Sequence, residues 1–236
     1  MENKVIFKDL GSINYQEAWD YQKNLFQQVL ELKKYNEQLP ICEQTLNYNF
    51  LLFCEHPHVY TLGKSGSESN LLINKDALEQ KGVQFFKIDR GGDITYHGPG
   101  QIVGYPIFNL EAFSLGVKQY IFNIEEAIIL TLAAYNIQAG RLNGAIGVWL
   151  NPDDPAKARK ICAIGVKASR YVSMHGFAFN VNTELSYYHS INPCGFVDKG
   201  VTSMQKELGK EVELKEVKEK LLKSLEKVFN FQLEDI

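Results

Sequence analysis

The chain has 236 residues, of which 45% are hydrophobic and 22% are charged, proportions typical of a globular protein with a substantial buried core. Its formal net charge of -3 argues against a surface built to neutralise nucleic-acid phosphates, so we expect no nucleic-acid partner. No linker-like stretch, low-complexity segment or internal repeat divides the chain, which favours one domain over residues 1–236.

The targeting and cysteine patterns predict a cytoplasmic protein. The first residues lack a basic segment followed by an apolar run, and the chain has no stretch of about 18 apolar residues that could span a membrane. We therefore expect no membrane partner. The cysteines at positions 42, 54, 162 and 194 form no CxxC pair and lack the spacing of a disulfide framework or a zinc site. Free thiols and no bound metal are the resulting prediction.

Three helices and seven strands are predicted, and they alternate irregularly along the chain. The helices cover residues 15–35, with Asn14 as the capping residue, 118–135 and 214–229; apolar side chains recur at helical spacing in the first and third. Short segments rich in aromatic and β-branched residues predict strands at residues 48–54, 59–62, 84–88, 102–107, 145–150, 160–166 and 173–181. This order favours an α/β (α+β) domain with a mixed sheet flanked by helices.

A glycine-rich segment, residues 90–101, is the densest signal in the chain. Glycine at this density indicates backbone that approaches a ligand closely or adopts positive φ. The spacing of Gly98, Gly100 and Gly104 differs from the dinucleotide-binding fingerprint, and no Gly-Lys-Ser/Thr follows as in a Walker loop. Either the segment is a tight connection between two strands, or its backbone N–H groups, with Arg90 and His97, bind an anion or an acyl carbonyl oxygen.

Cys194 stands between Pro193 and Gly195, a context that indicates a turn and therefore an accessible sulfur. A free thiol with a pKa of about 8.5 is only about 3% thiolate at pH 7, and lowering the pKa to about 7 raises that share to roughly half. A neighbouring cation would supply such a shift. A lone cysteine is otherwise a structural residue, so the sequence by itself leaves both interpretations open.

Residues 156–170 contain five cationic side chains and no acidic one. Such a run is usually a solvated face, but it also fits the docking of an acidic partner protein. Lys160 differs because it opens an apolar strand, where partial burial would lower its pKa and let it act as a base or as the charge partner of a thiolate. Cys162 would share its strand face and is either a competing thiol or a small core residue.

The histidines give no metal signal. His56 and His58 flank Pro57, and no third ligand is evident. His175 precedes Gly176 in an imperfectly alternating segment and is either a satisfied core residue or part of a site.

Five motifs together resemble the lipoyl(octanoyl) transferases, and the resemblance extends from Asp9 to Thr202. The motifs are Glu55-His56-Pro57 with Thr61-Leu62-Gly63, the segment 90–101, Lys160-Ile161 with Ala163-Ile164-Gly165, the segment 175–180, and Asn192-Pro193-Cys194-Gly195. The resemblance implies the fold of biotin and lipoate protein ligases. It also implies transfer of an octanoyl group from octanoyl-acyl carrier protein to a lysine of lipoyl domains, in 2-oxoacid dehydrogenases and in the glycine cleavage H protein, with no cofactor.

The same resemblance assigns roles to individual residues. Cys194 is implied to be the acyl-thioester nucleophile, and Lys160 the lysine that lowers its pKa and exchanges protons. The implied substrate-binding residues are Arg90, Gly91, Gly92, Asp93, Ile94, Thr95, Tyr96, His97, Ala163, Ile164, Gly165, Gly176, Phe177 and Ala178. Two features depart from the family's pattern: Asp93 replaces a residue that is more often uncharged, and Cys162 places a second thiol near Lys160.

The size of the acyl group predicts an apolar slot. An eight-carbon chain gains roughly 0.8 kcal/mol per buried methylene, on the order of 5 kcal/mol in all, more than one exposed ion pair provides. We therefore expect a steep loss of activity on shortening the acyl group by four carbons. The competing functions are an ATP-dependent lipoate or biotin ligase on the same fold, a non-catalytic module that binds acyl carrier or lipoyl domains, and a cysteine hydrolase.

Overall fold

The computed structural model describes residues 3–45, 48–192 and 200–234, which form a mixed α/β fold. The strands are β1 (Asn3–Ser12), β2 (Phe50–Glu55), β3 (Val59–Leu62), β4 (Gln84–Lys87), β5 (Ile94–His97), β6 (Gln101–Ile107), β7 (Gly140–Leu142), β8 (Ala145–Leu150), β9 (Arg159–Ser169), β10 (Val172–Asn180), β11 (Gly200–Val201) and β12 (Phe231–Leu233). The α-helices are α1 (Tyr15–Asn36), α2 (Lys75–Gln80), α3 (Val117–Ala133), α4 (Met204–Leu208) and α5 (Leu214–Phe229).

The larger sheet is mixed and has the strand order β12-β1-β2-β6-β10-β9-β8-β7, with β11 added beside β9. Its first strands, β12, β1 and β2, run parallel to one another, whereas the pairs from β2 to β7 are antiparallel. β11 pairs in parallel with the start of β9, so that Val201 lies beside Lys160. A smaller sheet of order β4-β3-β5 contains residues 94–97 of the glycine-rich segment as β5.

The helices cover the larger sheet with apolar faces. α1 begins after Asn14, whose side chain accepts a hydrogen bond from the backbone N–H of Gln16, as an N-cap does. Its apolar face, including Leu25 and Val29, packs with Val103 and Ile107 of β6. A second and larger core cluster joins buried side chains of α3 and α5 to those of β2, β8 and β9. The sheet is therefore buried along most of its length, as the fully buried β10 illustrates.

The predicted mixed sheet with flanking helices is confirmed, with differences at the element boundaries. The predicted segments 59–62, 145–150 and 214–229 coincide with β3, β8 and α5. The segment 118–135 becomes α3 at Val117–Ala133, and Asn136 beyond it has a positive φ of 57°, which a helix cannot contain. No strand was predicted for residues 3–12, which form β1, or inside residues 90–101, where β5 lies.

None of the helices in the described part of the chain is both long and apolar enough to cross a membrane.

Candidate active site

A cavity of about 570 Å³ lies where β8 separates from β9. This volume is in the usual range of small-molecule sites, roughly 300–1,000 Å³. Its walls come from the glycine-rich segment, from β8, β9 and β10, and from the first turns of α1 and α3. Small residues on paired strands form part of the wall: Ala163 pairs with Ala178, and Gly165 with Gly176. Their short side chains leave the space that a ligand needs.

Most of the predicted substrate-binding residues line this cavity. These are Arg90, Gly91, Gly92, Asp93, Ile94, Thr95, His97, Ala163, Ile164, Gly165, Gly176, Phe177 and Ala178, and the predicted catalytic Lys160 lines it as well. The glycine-rich segment reaches β9 because the N–H of Gly91 donates to the carbonyl of Val166 over 2.9 Å. A Cβ on Gly165 would lie 2.8 Å from the carbonyl oxygen of Gly91, so this close approach requires glycine.

Tyr96, which also belongs to the predicted substrate-binding set, is fully buried and does not line the cavity. Its ring stacks on Tyr187 with 4.9 Å between centroids, and its hydroxyl lies 2.7 Å from Nδ1 of His58. Side chains alternate along a strand, so Thr95 and His97 reach the cavity while Tyr96 points into a separate aromatic cluster.

Arg90 is held in the cavity wall by buried hydrogen bonds. Its Nη2 donates to the backbone carbonyl of Thr61 over 2.8 Å and to Oγ1 of Thr61 over 3.0 Å. Oγ1 of Thr61 lies 3.3 Å from Nε2 of His97, whose Nδ1 lies 2.9 Å from Oε1 of Gln101. The amide nitrogen of Gln101 donates to Asn180, so its oxygen faces the histidine.

This network assigns the tautomer of His97. Nδ1 carries the proton and donates to Gln101, and Nε2 accepts from the hydroxyl of Thr61. Burial lowers the pKa of His97 to about 3, so the imidazole is neutral at pH 7. The Thr61 hydroxyl thus couples a neutral histidine to a guanidinium.

His56 is also a neutral structural histidine. Its Nδ1 lies 2.8 Å from the carbonyl of Ile13, and its Nε2 lies 2.7 Å from the hydroxyl of Tyr105, which lines the cavity. Burial lowers the pKa of His56 to about 4. Within the described ranges, no group of three or more His, Cys, Asp or Glu side chains is arranged to hold a metal ion.

His175 lines the cavity from β10 with a positive φ of 61°, unusual for a residue with a side chain. Its Nε2 lies 3.1 Å from Oδ1 of Asp89, and Lys167 donates to the other oxygen of that carboxylate over 2.5 Å. The hydrogen bond from His175 is the largest cause of the lowered pKa of Asp89. Burial lowers the pKa of His175 itself, against the influence of Asp89. His175 therefore connects the cavity wall to the ion pair of Asp89 and Lys167.

Asp93, the residue that departs from the family's pattern, stabilises the glycine-rich segment. Its Oδ1 accepts from the backbone N–H of Ile94 over 2.6 Å, and its Oδ2 accepts from the amide of Asn70 over 2.6 Å. The carboxylate is nearly buried, and hydrogen bonding offsets the cost of burying it.

Lys160 stands at the start of β9, where three strands meet. Its Nζ lies 4.7 Å from the centroid of the Trp149 ring, in a cation–π contact from β8. Its backbone carbonyl accepts from Thr202, just after β11. Other cations of residues 156–170 are paired with carboxylates: Arg159 with Glu207 and Lys167 with Asp89. These two charges are thus partly neutralised within the protein.

Cys162 is a core residue. It is fully buried among apolar side chains, and burial raises the pKa of its thiol despite the charge of Lys160. Cys54 is equally buried, whereas Cys42 is exposed, and all three are free thiols. A protonated, enclosed sulfur is a poor nucleophile, so the core interpretation of Cys162 fits the geometry.

Cys194 lies outside the described residues. The described residues before it end at Asn192, whose backbone N–H donates to the carbonyl of Asn70. The side-chain amide of Asn70 in turn donates to Asp93. The chain after it resumes at Gly200, which lines the cavity and pairs with Arg159.

Several further cavity residues carry no functional signal in the sequence. Tyr15 and Tyr105 line the cavity from α1 and β6, and Val117, Ile121 and Ile146 line it from α3 and β8. The sequence pattern identifies Tyr15 only as one position of an amphipathic helix face. Its ring contacts His56 and His97 at centroid distances of 5.2 and 5.9 Å. A tyrosine at the first turn of a helix carries no pattern that marks it as a site residue.

Comparison with known proteins gives one family. The model described as the lipoyl protein ligase A/B catalytic domain matches residues 14–226. An octanoyltransferase of Cytophaga hutchinsonii is 55% identical over 231 residues, covering 98% of this chain and 95% of that protein. An octanoyltransferase of Flavobacterium johnsoniae is 53% identical over 234 residues, covering 99% of this chain and 100% of that protein.

Solved structures agree at the level of the fold. A bipartite lipoate protein ligase from Thermoplasma acidophilum has a TM-score of 0.68 at 13% identity and covers 100% of this chain and 87% of that chain. A lipoate-protein ligase A bound with ATP has a TM-score of 0.64 at 14% identity and covers 100% of this chain and 89% of that chain. The fold expected from the sequence motifs is therefore confirmed.

Proposed function

Because the chain belongs to the lipoyl protein ligase A/B catalytic domain family and is an octanoyltransferase of protein lipoylation, we propose that it works through an acyl-enzyme on Cys194. The donor is octanoyl-acyl carrier protein. The acceptor is a lysine on the lipoyl domains of 2-oxoacid dehydrogenases and on the glycine cleavage H protein. No cofactor takes part in the proposed transfer.

The observation that carries this proposal is the cavity along β9, with Lys160 at one end. Lys160 and Val166 both line it and are six residues apart on the strand, roughly 20 Å at about 3.3 Å per residue. An extended octanoyl chain is about 10 Å long, given C–C bonds of about 1.5 Å. A chain whose carbonyl lies near Lys160 therefore fits beside the small residues of β9 and β10.

The proposed reaction has two acyl transfers. The thiolate of Cys194 attacks the carbonyl carbon of the donor thioester, and the carrier thiol leaves after taking a proton from Lys160. The acceptor lysine, as a free amine, then attacks the enzyme thioester. The amide forms, the bond to the Cys194 sulfur breaks, and the proton lost by the amine returns to Lys160. The ammonium of Lys160 favours the thiolate in both steps.

We also propose that the thiol of Cys194 lies close to the ammonium group of Lys160. This position is supported by the described chain on both sides, since Asn192 is bonded to Asn70 near the cavity wall and Gly200 is part of that wall. Arg90 and the other residues of its segment that line the cavity are proposed to bind the substrate.

A transfer assay tests the proposed function. The protein is mixed with octanoyl-acyl carrier protein and an apo lipoyl domain without ATP, and octanoylation of the acceptor lysine is followed by mass. We expect amide formation that is lost in Cys194→Ser. Transfer that requires ATP and free octanoate, and that survives in Cys194→Ser, would instead support a ligase. Release of free octanoate without acceptor modification would support a hydrolase.

A further inference from the structure

The hairpin of β7 and β8 is bonded to a side chain of α3 at the point where β8 stops pairing with β9. β8 pairs with β9 at Val148, Trp149 and Leu150, with an irregularity between the first two. The preceding residue, Gly147, has a φ of 120° and donates its backbone N–H to Oε1 of Glu125 over 3.0 Å. Glu125 therefore accepts a hydrogen bond from the backbone of β8 at the point where β8 and β9 separate.

Gly147 is confined at this point. A Cβ there would lie 2.5 Å from the carbonyl oxygen of Cys162 and 3.4 Å from Cε of Lys160. Together with the positive φ, this contact makes the position specific to glycine.

Glu125 also anchors the other strand of the hairpin. It is only 7% exposed, and its Oε2 accepts from Nε of Arg141 on β7 over 2.9 Å. Arg141 in turn donates to the carbonyl of Phe122 and to Glu126, and its guanidinium lies 3.6 Å from the centroid of the Phe122 ring. One carboxylate thus fixes both strands of the hairpin to α3.

The residues next to Gly147 form one side of the cavity. Ala145 and Ile146 line it, and so do Val117 and Ile121 at the start of α3. Ile146 and Val117 are 54% and 38% exposed, so these apolar side chains stand in solvent beside the cavity. An apolar ligand seated there would remove them from water, which is the driving force for binding it.

We propose that Glu125 is a positioning residue that selects the length of the acyl chain. By holding the hairpin on α3, it keeps Ala145 and Ile146 at a fixed separation from Ile164 on β9, and this separation sets the acyl slot. The inference rests on the proposed octanoyl transfer, because it concerns the substrate of the same cavity. Glu125 itself does not line the cavity and acts through the hairpin.

The test compares donors of different length. Wild type, Glu125→Ala and Glu126→Ala are assayed with butanoyl-, octanoyl- and dodecanoyl-acyl carrier protein, and kcat/KM is measured for each. Glu126 is the matched control because it sits beside Glu125 and pairs with Arg141 but has no bond to Gly147 in the described structure. Ratios of kcat/KM between donors cancel any effect on Lys160 that all donors share.

We expect the preference for octanoyl over the other chains to fall about tenfold in Glu125→Ala. A fall of this size corresponds to the loss of contact with one or two methylene groups. Glu126→Ala should keep the wild-type ratios. Folded Glu125→Ala with unchanged ratios would overturn the proposal while leaving octanoyl transfer intact. Inactivity of the wild type with every donor would instead contradict the proposed function.

Glu125 is nearly buried, so its removal can prevent folding. In that case Arg141→Ala is the test variant, because Arg141 bonds to Glu125 and is partly exposed, so its removal disturbs folding less. Thermal unfolding identifies the folded variants. If folded Arg141→Ala keeps the wild-type ratios, anchoring of the hairpin on α3 does not select the acyl chain and the proposal fails.

Discussion

Replacing Thr61 with valine removes one hydroxyl from the hydrogen-bond network of the cavity wall and preserves the shape of the side chain. The Thr61 hydroxyl is fully buried; it accepts from Arg90 over 3.0 Å and donates to Nε2 of His97, 3.3 Å away. Valine is β-branched like threonine, so β3 keeps its backbone and packing. The perturbation is therefore confined to two hydrogen bonds.

The energetic cost of the substitution comes from the hydrogen-bonding groups that it leaves unpaired. Nε2 of His97 becomes a buried acceptor without a donor, a loss of about 1–3 kcal/mol. Arg90 keeps its 2.8 Å bond to the Thr61 carbonyl, so it stays in place but loses one restraint. We expect the free energy of unfolding to fall by about 1–3 kcal/mol. We expect kcat/KM for octanoyl transfer to fall about tenfold, corresponding to about 1.4 kcal/mol of transition-state stabilisation.

Urea unfolding and steady-state transfer kinetics of Thr61→Val measure both effects. Thr61→Ser is the matched control, because it keeps the hydroxyl and loses only a methyl group. Serine should retain most of the kcat/KM that valine loses. If valine matches wild type in stability and in kcat/KM, the assignment of this hydroxyl as the bridge between Arg90 and His97 is wrong.

Three further results are expected. Lys160→Ala should slow acylation by about 10²- to 10⁴-fold in rapid-quench assays, with an unchanged melting temperature. The pKa of His97 is about 3 in the folded protein and about 6.5 in the unfolded chain, so the unfolded chain takes up a proton first as the pH falls. The free energy of unfolding should therefore decrease below about pH 6.5, by about 2 kcal/mol at pH 5. Urea unfolding of His97→Gln should depend less on pH than that of wild type. Gly165→Ala should lower kcat/KM about tenfold, because the added methyl group would lie 2.8 Å from the carbonyl oxygen of Gly91. Gly116→Ala is the control: its methyl group meets nothing within 4 Å, so its kcat/KM should match that of wild type.

The sequence predicts those elements whose pattern is local and strong. α5 carries Val217, Leu221 and Leu225 on one buried face, and its predicted and observed bounds agree. The cavity wall was predicted only through the family resemblance, and its motifs at residues 90–97, 163–165 and 176–178 lie on segments that pair or dock together. Asp93 could be identified as unusual, but only the structure gives its hydrogen bonds to Ile94 and Asn70.

Features that depend on distant partners were not predictable. β1 buries only Val5 and Ile6, so its sequence lacks clear alternation, and it is a strand because β2 and β12 pair with it. Where β8 separates from β9, the backbone N–H of Gly147 is bonded to Glu125, which lies 22 residues earlier in the chain. Nothing in the glutamate's own helical pattern indicates a bond to that backbone N–H.

In the proposed mechanism, Cys194 carries the octanoyl group. This is measured by the intact mass of the protein after mixing with octanoyl-acyl carrier protein without an acceptor, with Cys194→Ala, Cys162→Ala and Cys42→Ala measured in parallel. We predict one octanoyl adduct on wild type, Cys162→Ala and Cys42→Ala, discharged when a lipoyl domain is added, and none on Cys194→Ala. An adduct of equal amount on Cys194→Ala would show that the acyl group is carried elsewhere.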